Sequence, residues 1–525
     1  MTDIANPKAA IKRLTQASDH STIDWTLFGI AVATILAACI PMLLYRDAAI
    51  DLTSRVYSWL TQDFGLLYQW AAIGCFIVLA VIAFGKYGKV RLGGDDMPRE
   101  YSTVAWMGML FCSGIGAGLL YWTPIEWAFY LDTPPLGVSK DSPMAVELAA
   151  TYGIFHWGFS AWAIYALPAV AIAVPYYQRK IPYLRLSTGL CGIAGDDIAT
   201  RPVGRLVDFC FIIAMVAGTG TSLGLATPAI AASISSLFGV EAGMAMDVAV
   251  AVIAMSLFAL SVYLGLDAGI KRLSMINLGL GLVFVLFILA VGPTVFILET
   301  GSNSLGLLVQ DFVRMNTWTD PATNAGFVED WTIFYWAWWL AYAPFMGIFV
   351  SRISRGRTLR EVIVGMIGLG TLGCAVFFIV IGNTAMWYEL NDVVALKNMI
   401  LGGDEDIAIA TFVETLPFQP VPLLIYLVLA FIFIATTYDS ASYVIASMAT
   451  RRLKAGDHPI RWHRVFWALM LIVLPITLMY MDDLTAVKNA SIIASLPLLV
   501  IFVLITVALF RELKEDELRR QRAST

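Results

Sequence analysis

Twelve apolar blocks, most near the roughly 20 residues that a helix needs to cross a bilayer, constrain this 525-residue chain more than any other feature. They cover residues 25–45, 66–84, 104–130, 155–175, 206–237, 247–264, 269–297, 331–350, 362–381, 420–447, 465–481 and 490–510. Hydrophobic residues make up 59% of the chain and charged ones 14%, too little charge to cover soluble domains of this length. The pattern predicts an all-α polytopic membrane protein of about 12 transmembrane helices. Its divisions are a polar tail over 1–24, a membrane body over 25–510 and a charged helical tail over 511–525.

Charge placement supports an even number of spans. With the amino end cytoplasmic, 28 of the 34 Lys and Arg fall in cytoplasmic segments and 6 in external loops, leaving none for the middle of a span. This is the positive-inside asymmetry, and it predicts a multi-pass protein of the bacterial inner membrane with both termini cytoplasmic. The first 24 residues lack a cleavable signal pattern, so the first block is expected to remain a span. Of the connections, 299–330 contains an amphipathic stretch at 305–315 suited to a membrane surface. The acidic segment 386–419 reads as a lid or packing element.

Several chemistries find no support. The six cysteines form no CxxC pair, the four histidines no HExxH, and no GxxxxGK[ST] loop occurs. No transition-metal site, disulfide framework or nucleotide use follows. No nucleophile–base pair suggests an enzyme, and nothing suggests a nucleic-acid partner.

The third block carries Cys112-Ser113-Gly114-Ile115-Gly116-Ala117-Gly118. Such a run either lets helices pack closely or interrupts the helix, since each glycine costs about 1 kcal/mol against alanine. A polar run in the tenth block, Thr436-Thr437-Tyr438-Asp439-Ser440-Ala441-Ser442, favours interruption. Together they fit two inverted five-helix repeats, spans 3–7 and 8–12, preceded by two extra helices. Such carriers hold substrate near the midplane.

The eighth block is the most informative. Trp331, Tyr335, Trp338, Trp339 and Tyr342 follow at three- and four-residue steps and share one helix face. Interfacial anchoring accounts for Trp331 and Tyr335, but not for a stripe that continues two to three turns inward. Facing a cavity, the stripe presents π-faces to a cation that donates no hydrogen bonds, the chemistry of quaternary-ammonium cages. Trp122 to Tyr130 and Phe155 to Trp162 supply further rings. His156 is read as a packing histidine.

These residues resemble the betaine/carnitine/choline transporter family over nearly the whole chain. WTIFYWAWW at 331–339 followed by SRISRGRTLRE at 351–361 carries the resemblance, supported by MLFCSGIGAG, GTSLGLA, GLDAGIKRLS and ATTYDSAS. It implies LeuT-type inverted repeats, a homotrimer in the lipid bilayer and transport of carnitine, betaine or choline. Glu126-Trp127 and Phe155-His156-Trp157-Gly158 look like the carnitine/γ-butyrobetaine antiporter branch. By resemblance, Trp157, Trp162, Trp338, Trp339 and Tyr342 form the central site. Met346 lies beside the substrate carboxylate, and Trp331 stands at the outer entrance as a transient second site. Phe129 replaces a tyrosine of that branch.

The coupling ion divides the family. The sodium-independent antiporters carry an arginine where this chain has Asn277, and a neutral amide cannot replace a cation. The carbonyls of Cys112 and Ile115, the hydroxyls of Thr436 and Thr437, and neighbouring Phe433 match the symporters' sodium site, and oxygen ligands suit a hard cation. The competing reading is that both hydroxyls back-bond to their own helix. The expectation is a sodium-coupled symporter. Ion-independent exchange and proton-coupled choline uptake are the alternatives, with Asp439 as the proton candidate. Glu126 and Asp439 also read as caps of broken helices. Arg352, Arg355, Arg357 and Arg360 are expected to anchor the cytoplasmic end and to pair with acids such as Asp95, Asp96 and Glu361.

Overall fold

A computed structural model describes residues 23–113, 116–264, 267–451, 458–481 and 484–524. Among these residues the fold is helical, with only two isolated bridges, Ile23 to Thr450 and Arg91 to Thr358. Among the described residues nine helices are long and apolar enough to cross a bilayer, and a bent pair, Met275–Val291 with Thr294–Thr317 at 112°, makes a tenth if it is one span. Two of the twelve blocks fall short of that test for physical reasons. The third is divided into Thr103–Ser113 and Ala117–Trp122, and the sixth, Met244–Leu264, has a shorter apolar stretch at Met244–Leu260.

The glycine run therefore interrupts the third span. The polar run at 436–442 does not interrupt the tenth, which is one helix from Val421 to Met448. The amphipathic stretch at 305–315 lies in the helix Thr294–Thr317. The acidic connection folds into three short helices, Asn383–Leu390, Leu396–Leu401 and Glu405–Thr415. It is pinned through Lys397, whose amine lies 3.7 Å from Asp132 and 3.6 Å from Asp141. The last helix runs from Leu484 to Ser524, and its charged end is clamped. Arg179 meets Glu512 and Glu515 at 2.6 Å each, and Lys86 meets Glu517 at 2.6 Å.

Burial separates interior spans from peripheral ones. The apolar window of the fourth span, Pro143–Gln178, is 94% buried, against 22% for the first, Trp25–Leu44. The fourth and eighth (Val328–Ile353) spans cross so closely that small residues are required. A Cβ at Gly347 would stand 2.9 Å from the Ala169 nitrogen and 3.0 Å from the Pro168 carbonyl carbon. At Gly370 in the ninth span it would meet the Trp162 ring at 2.1 Å. Gly347→Ala must push the two central helices apart. It should lower stability by about 1–3 kcal/mol, the usual cost of overpacking, read as a reduced melting temperature in detergent. An unchanged melting temperature would show that this crossing is loose.

Candidate functional site

The aromatic stripe is continuous in space. Ring centroids are 6.4 Å apart from Trp331 to Tyr335, 5.7 Å from Tyr335 to Trp339 and 6.4 Å from Trp338 to Tyr342. Trp338 and Trp339 stack at 4.8 Å and 13°. Trp157, from the fourth span, stands edge-on to both, at 5.9 Å and 4.7 Å. The third span approaches through glycine: a Cβ at Gly118 would lie 3.2 Å from Trp338 and 3.4 Å from Trp157. Trp331 and Tyr335 are buried, so neither is the interfacial anchor that position alone suggests.

Each indole N–H of this cluster is committed elsewhere. The Trp338 nitrogen donates to the Gly218 carbonyl at 3.2 Å, and that of Trp339 to the His156 carbonyl at 2.8 Å. The fourth span's helices end at His156 and resume at Phe159, which presents that carbonyl sideways. Only glycine fits the break at 158, where a Cβ would lie 2.4 Å from the Ile154 carbonyl oxygen. The third indole, Trp157, donates to Glu126 at 3.2 Å. What the three rings offer a ligand is therefore π-surface.

Glu126 organises the far side. Its carboxylate also accepts from the Tyr335 hydroxyl at 2.7 Å and from the Tyr130 hydroxyl. Tyr130 spends its one hydrogen on Glu126, so the 2.7 Å contact with His156 Nδ1 has the imidazole donating. His156 Nε2 then accepts from Thr332 at 3.1 Å. This tautomer, assigned from the network, satisfies every member with Glu126 ionised and His156 neutral. His156 thus fixes Tyr130 and, through its carbonyl, Trp339. Sequence spacing gave no sign of this role.

Other residues singled out in the sequence lie around this centre. Tyr342 closes the stripe, its hydroxyl 3.0 Å from that of Ser222, and Met346 is buried one turn beyond. Trp162 packs edge-on to Tyr165 at 5.4 Å, and it is Tyr165 that meets Trp339, at 5.7 Å. Tyr165 was missed because periodicity assigns a face without saying which ring reaches across. Trp331 touches Trp122, Phe129 and Tyr130, with centroids at 5.6, 4.9 and 5.1 Å. Lys488, assigned to an external loop by the charge count, lies instead on the last helix with its amine 3.6 Å from the Trp331 centroid.

Of the ion candidates, Ile115 lies outside the described residues, and Cys112 is the penultimate residue of the helix Thr103–Ser113, the first half of the broken span. The Thr436 and Thr437 hydroxyls both donate to the Phe433 carbonyl, at 3.0 and 2.8 Å. They back-bond in this conformation while their oxygens keep acceptor capacity. Asn277 donates to the Leu429 carbonyl at 3.3 Å, about one turn before Phe433, and its buried Oδ1 has no hydrogen-bond partner. Asn277 thus meets the tenth span about two turns before the two hydroxyls and keeps one unmet oxygen, the kind of ligand that suits a hard cation. Asp439 is paired with Arg464 at 2.9 Å, which accounts for the carboxylate without a proton-carrying role. The arginine cluster is structural too. Arg357 stacks on Trp106 at 4.3 Å and pairs with Glu361 at 3.6 Å as expected, Glu361 also meets Arg99 at 2.5 Å, and Arg352 donates to Tyr443 at 2.8 Å.

The carboxylate network yields a ranked pair of variants. Glu126→Gln turns an all-acceptor group into one that also donates, leaving at least one buried donor unmet, which costs about 1–3 kcal/mol. Tyr335→Phe removes a donor that the carboxylate can lose more cheaply. The expected order of melting temperatures is parent, Tyr335→Phe, Glu126→Gln, by differential scanning fluorimetry.

Comparison with known proteins shows the family. The model of the betaine/carnitine/choline family transporters matches residues 26–518. A carnitine transporter of Acinetobacter baumannii is 35% identical over 478 residues, 90% of this chain and 86% of that protein. The Escherichia coli protein YeaV, named an uncharacterized transporter, is 36% identical over 449 residues, 85% of this chain and 92% of its own length. The chain belongs to the betaine/carnitine/choline transporter family, membrane carriers of quaternary-ammonium compounds.

Proposed function

We propose that this carrier takes up a carnitine-like betaine through the Trp157, Trp338 and Trp339 cluster, driven by sodium. The observation that carries the substrate reading is the commitment of all three indole N–H groups to protein acceptors. Rings whose donors are already spent favour a cation without N–H donors over an amine that needs acceptors. The carnitine transporter of A. baumannii supports the choice within the class. So does Met346, buried on the same helix beyond Tyr342, where the resemblance puts the substrate carboxylate.

Sodium coupling is supported by the unmet Asn277 oxygen on the span that meets the tenth at Leu429, and by the match of Phe433, Thr436 and Thr437 to the symporters' pattern. A fixed arginine charge at 277 would favour exchange; the neutral amide leaves room for a mobile ion. Trp162 belongs to the site as a backing residue behind Tyr165, and Trp331 as an outer contact. A homotrimer in the inner membrane with cytoplasmic termini completes the proposal, on the basis of the family and the distribution of Lys and Arg.

Uptake of labelled carnitine into proteoliposomes tests both halves at once. An inward sodium gradient should raise the initial rate several-fold over an equal potassium gradient. Trp338→Leu should reduce uptake by at least about tenfold, as expected for a desolvated cation–π contact. Equal rates in the two gradients, with Trp338→Leu still impaired, would retain the site and replace sodium coupling with exchange.

A further inference from the structure

The charge count left no cation within the membrane body, yet Lys488 is buried there, 7% exposed. Its amine lies 3.6 Å from the centroid of Trp331, 5.1 Å from Phe334 and 5.9 Å from Trp122. The Asp330 carbonyl accepts from it at 3.2 Å. The Tyr57 hydroxyl, whose one hydrogen is shared between the Asp330 carboxylate at 3.1 Å and the Glu329 carbonyl at 3.0 Å, holds Asp330 in place. These three rings and one carbonyl form a second aromatic cage, one helical turn from Tyr335 and continuous with the central stripe. In this structure the chain's own ammonium fills it.

We propose that Lys488 is the resident cation of this outer cage, and that an arriving quaternary ammonium must displace it to reach Trp338 and Trp339. The identity of the displacing cation rests on the transport reading above; the occupancy by Lys488 does not. Two like charges cannot share the face of Trp331, so substrate and Lys488 alternate there. The exchange also selects. A primary ammonium is strongly hydrated and its three N–H groups seek acceptors, whereas this cage supplies rings and the Asp330 carbonyl. A methylated cation loses no hydrogen bond on the same rings. Methylated cations therefore displace Lys488 more readily than ammonium or simple amines do. Once the substrate moves inward, Lys488 returns to Trp331 and covers the path behind it.

Acetylation of Lys488 by acetic anhydride in the purified full-length protein, followed by mass spectrometry, reads its release directly. Saturating tetramethylammonium chloride should speed labelling of Lys488 by about tenfold over equal potassium chloride, with other lysines unchanged. Trp331→Leu should do the same without any added cation. Lys488→Gln should tighten tetramethylammonium binding, read by tryptophan fluorescence, by a similar factor. Labelling that tetramethylammonium leaves unchanged, in protein that demonstrably binds it, would overturn the proposal. If tetramethylammonium does not bind at all, the transport reading fails instead. The Trp331→Leu arm then decides the occupancy, with unchanged labelling refuting it.

Discussion

One buried carboxylate holds the aromatic centre in register. Glu126 gathers donors from three separate pieces of chain: Tyr130 beside it, Trp157 at the break in the fourth span, and Tyr335 on the eighth. An ionised carboxylate in a protein interior is tolerated only when its lone pairs are met, so the three side chains have little freedom to rearrange. The break at Trp157 and Gly158 is part of the same construction. It presents the His156 carbonyl to Trp339, while the His156 ring steadies Tyr130. One helix break and one carboxylate thus orient Trp157 and Trp339, while the Gly218 carbonyl holds Trp338.

Much of this was legible in the sequence, because it rests on periodicity and residue class. The stripe from Trp331 to Tyr342 obeys helical spacing, and the glycine run around Gly116 interrupts its span. What spacing could not show is which partners meet across the fold. Glu126 and Tyr335 are 209 residues apart, and Glu126 and Trp157 are 31 apart. Either pair becomes visible only once the spans are packed. The resemblance put Trp162 in the central site; in the structure Trp162 packs on Tyr165, three residues along the same helix, and Tyr165 meets Trp339.

Lys488 shows a different limit. Counting basic residues by loop assigns a side of the membrane and says nothing of depth. A lysine at the start of a helix can lay its amine along the stem onto neighbouring rings, and here it reaches Trp331. The polar run in the tenth span is a third case. Thr436 and Thr437 satisfy themselves on the Phe433 carbonyl, so the helix passes through unbroken. The unmet oxygen lies on the facing span, at Asn277.

The proposed recognition depends on rings that read positive charge without hydrogen bonds, rather than merely an apolar shape. Equilibrium binding of choline against its neutral carbon isostere, 3,3-dimethyl-1-butanol, isolates that difference at nearly constant volume. The cation should bind at least about tenfold more tightly, and Trp338→Leu should remove most of the difference. Equal affinities for the two compounds would contradict it.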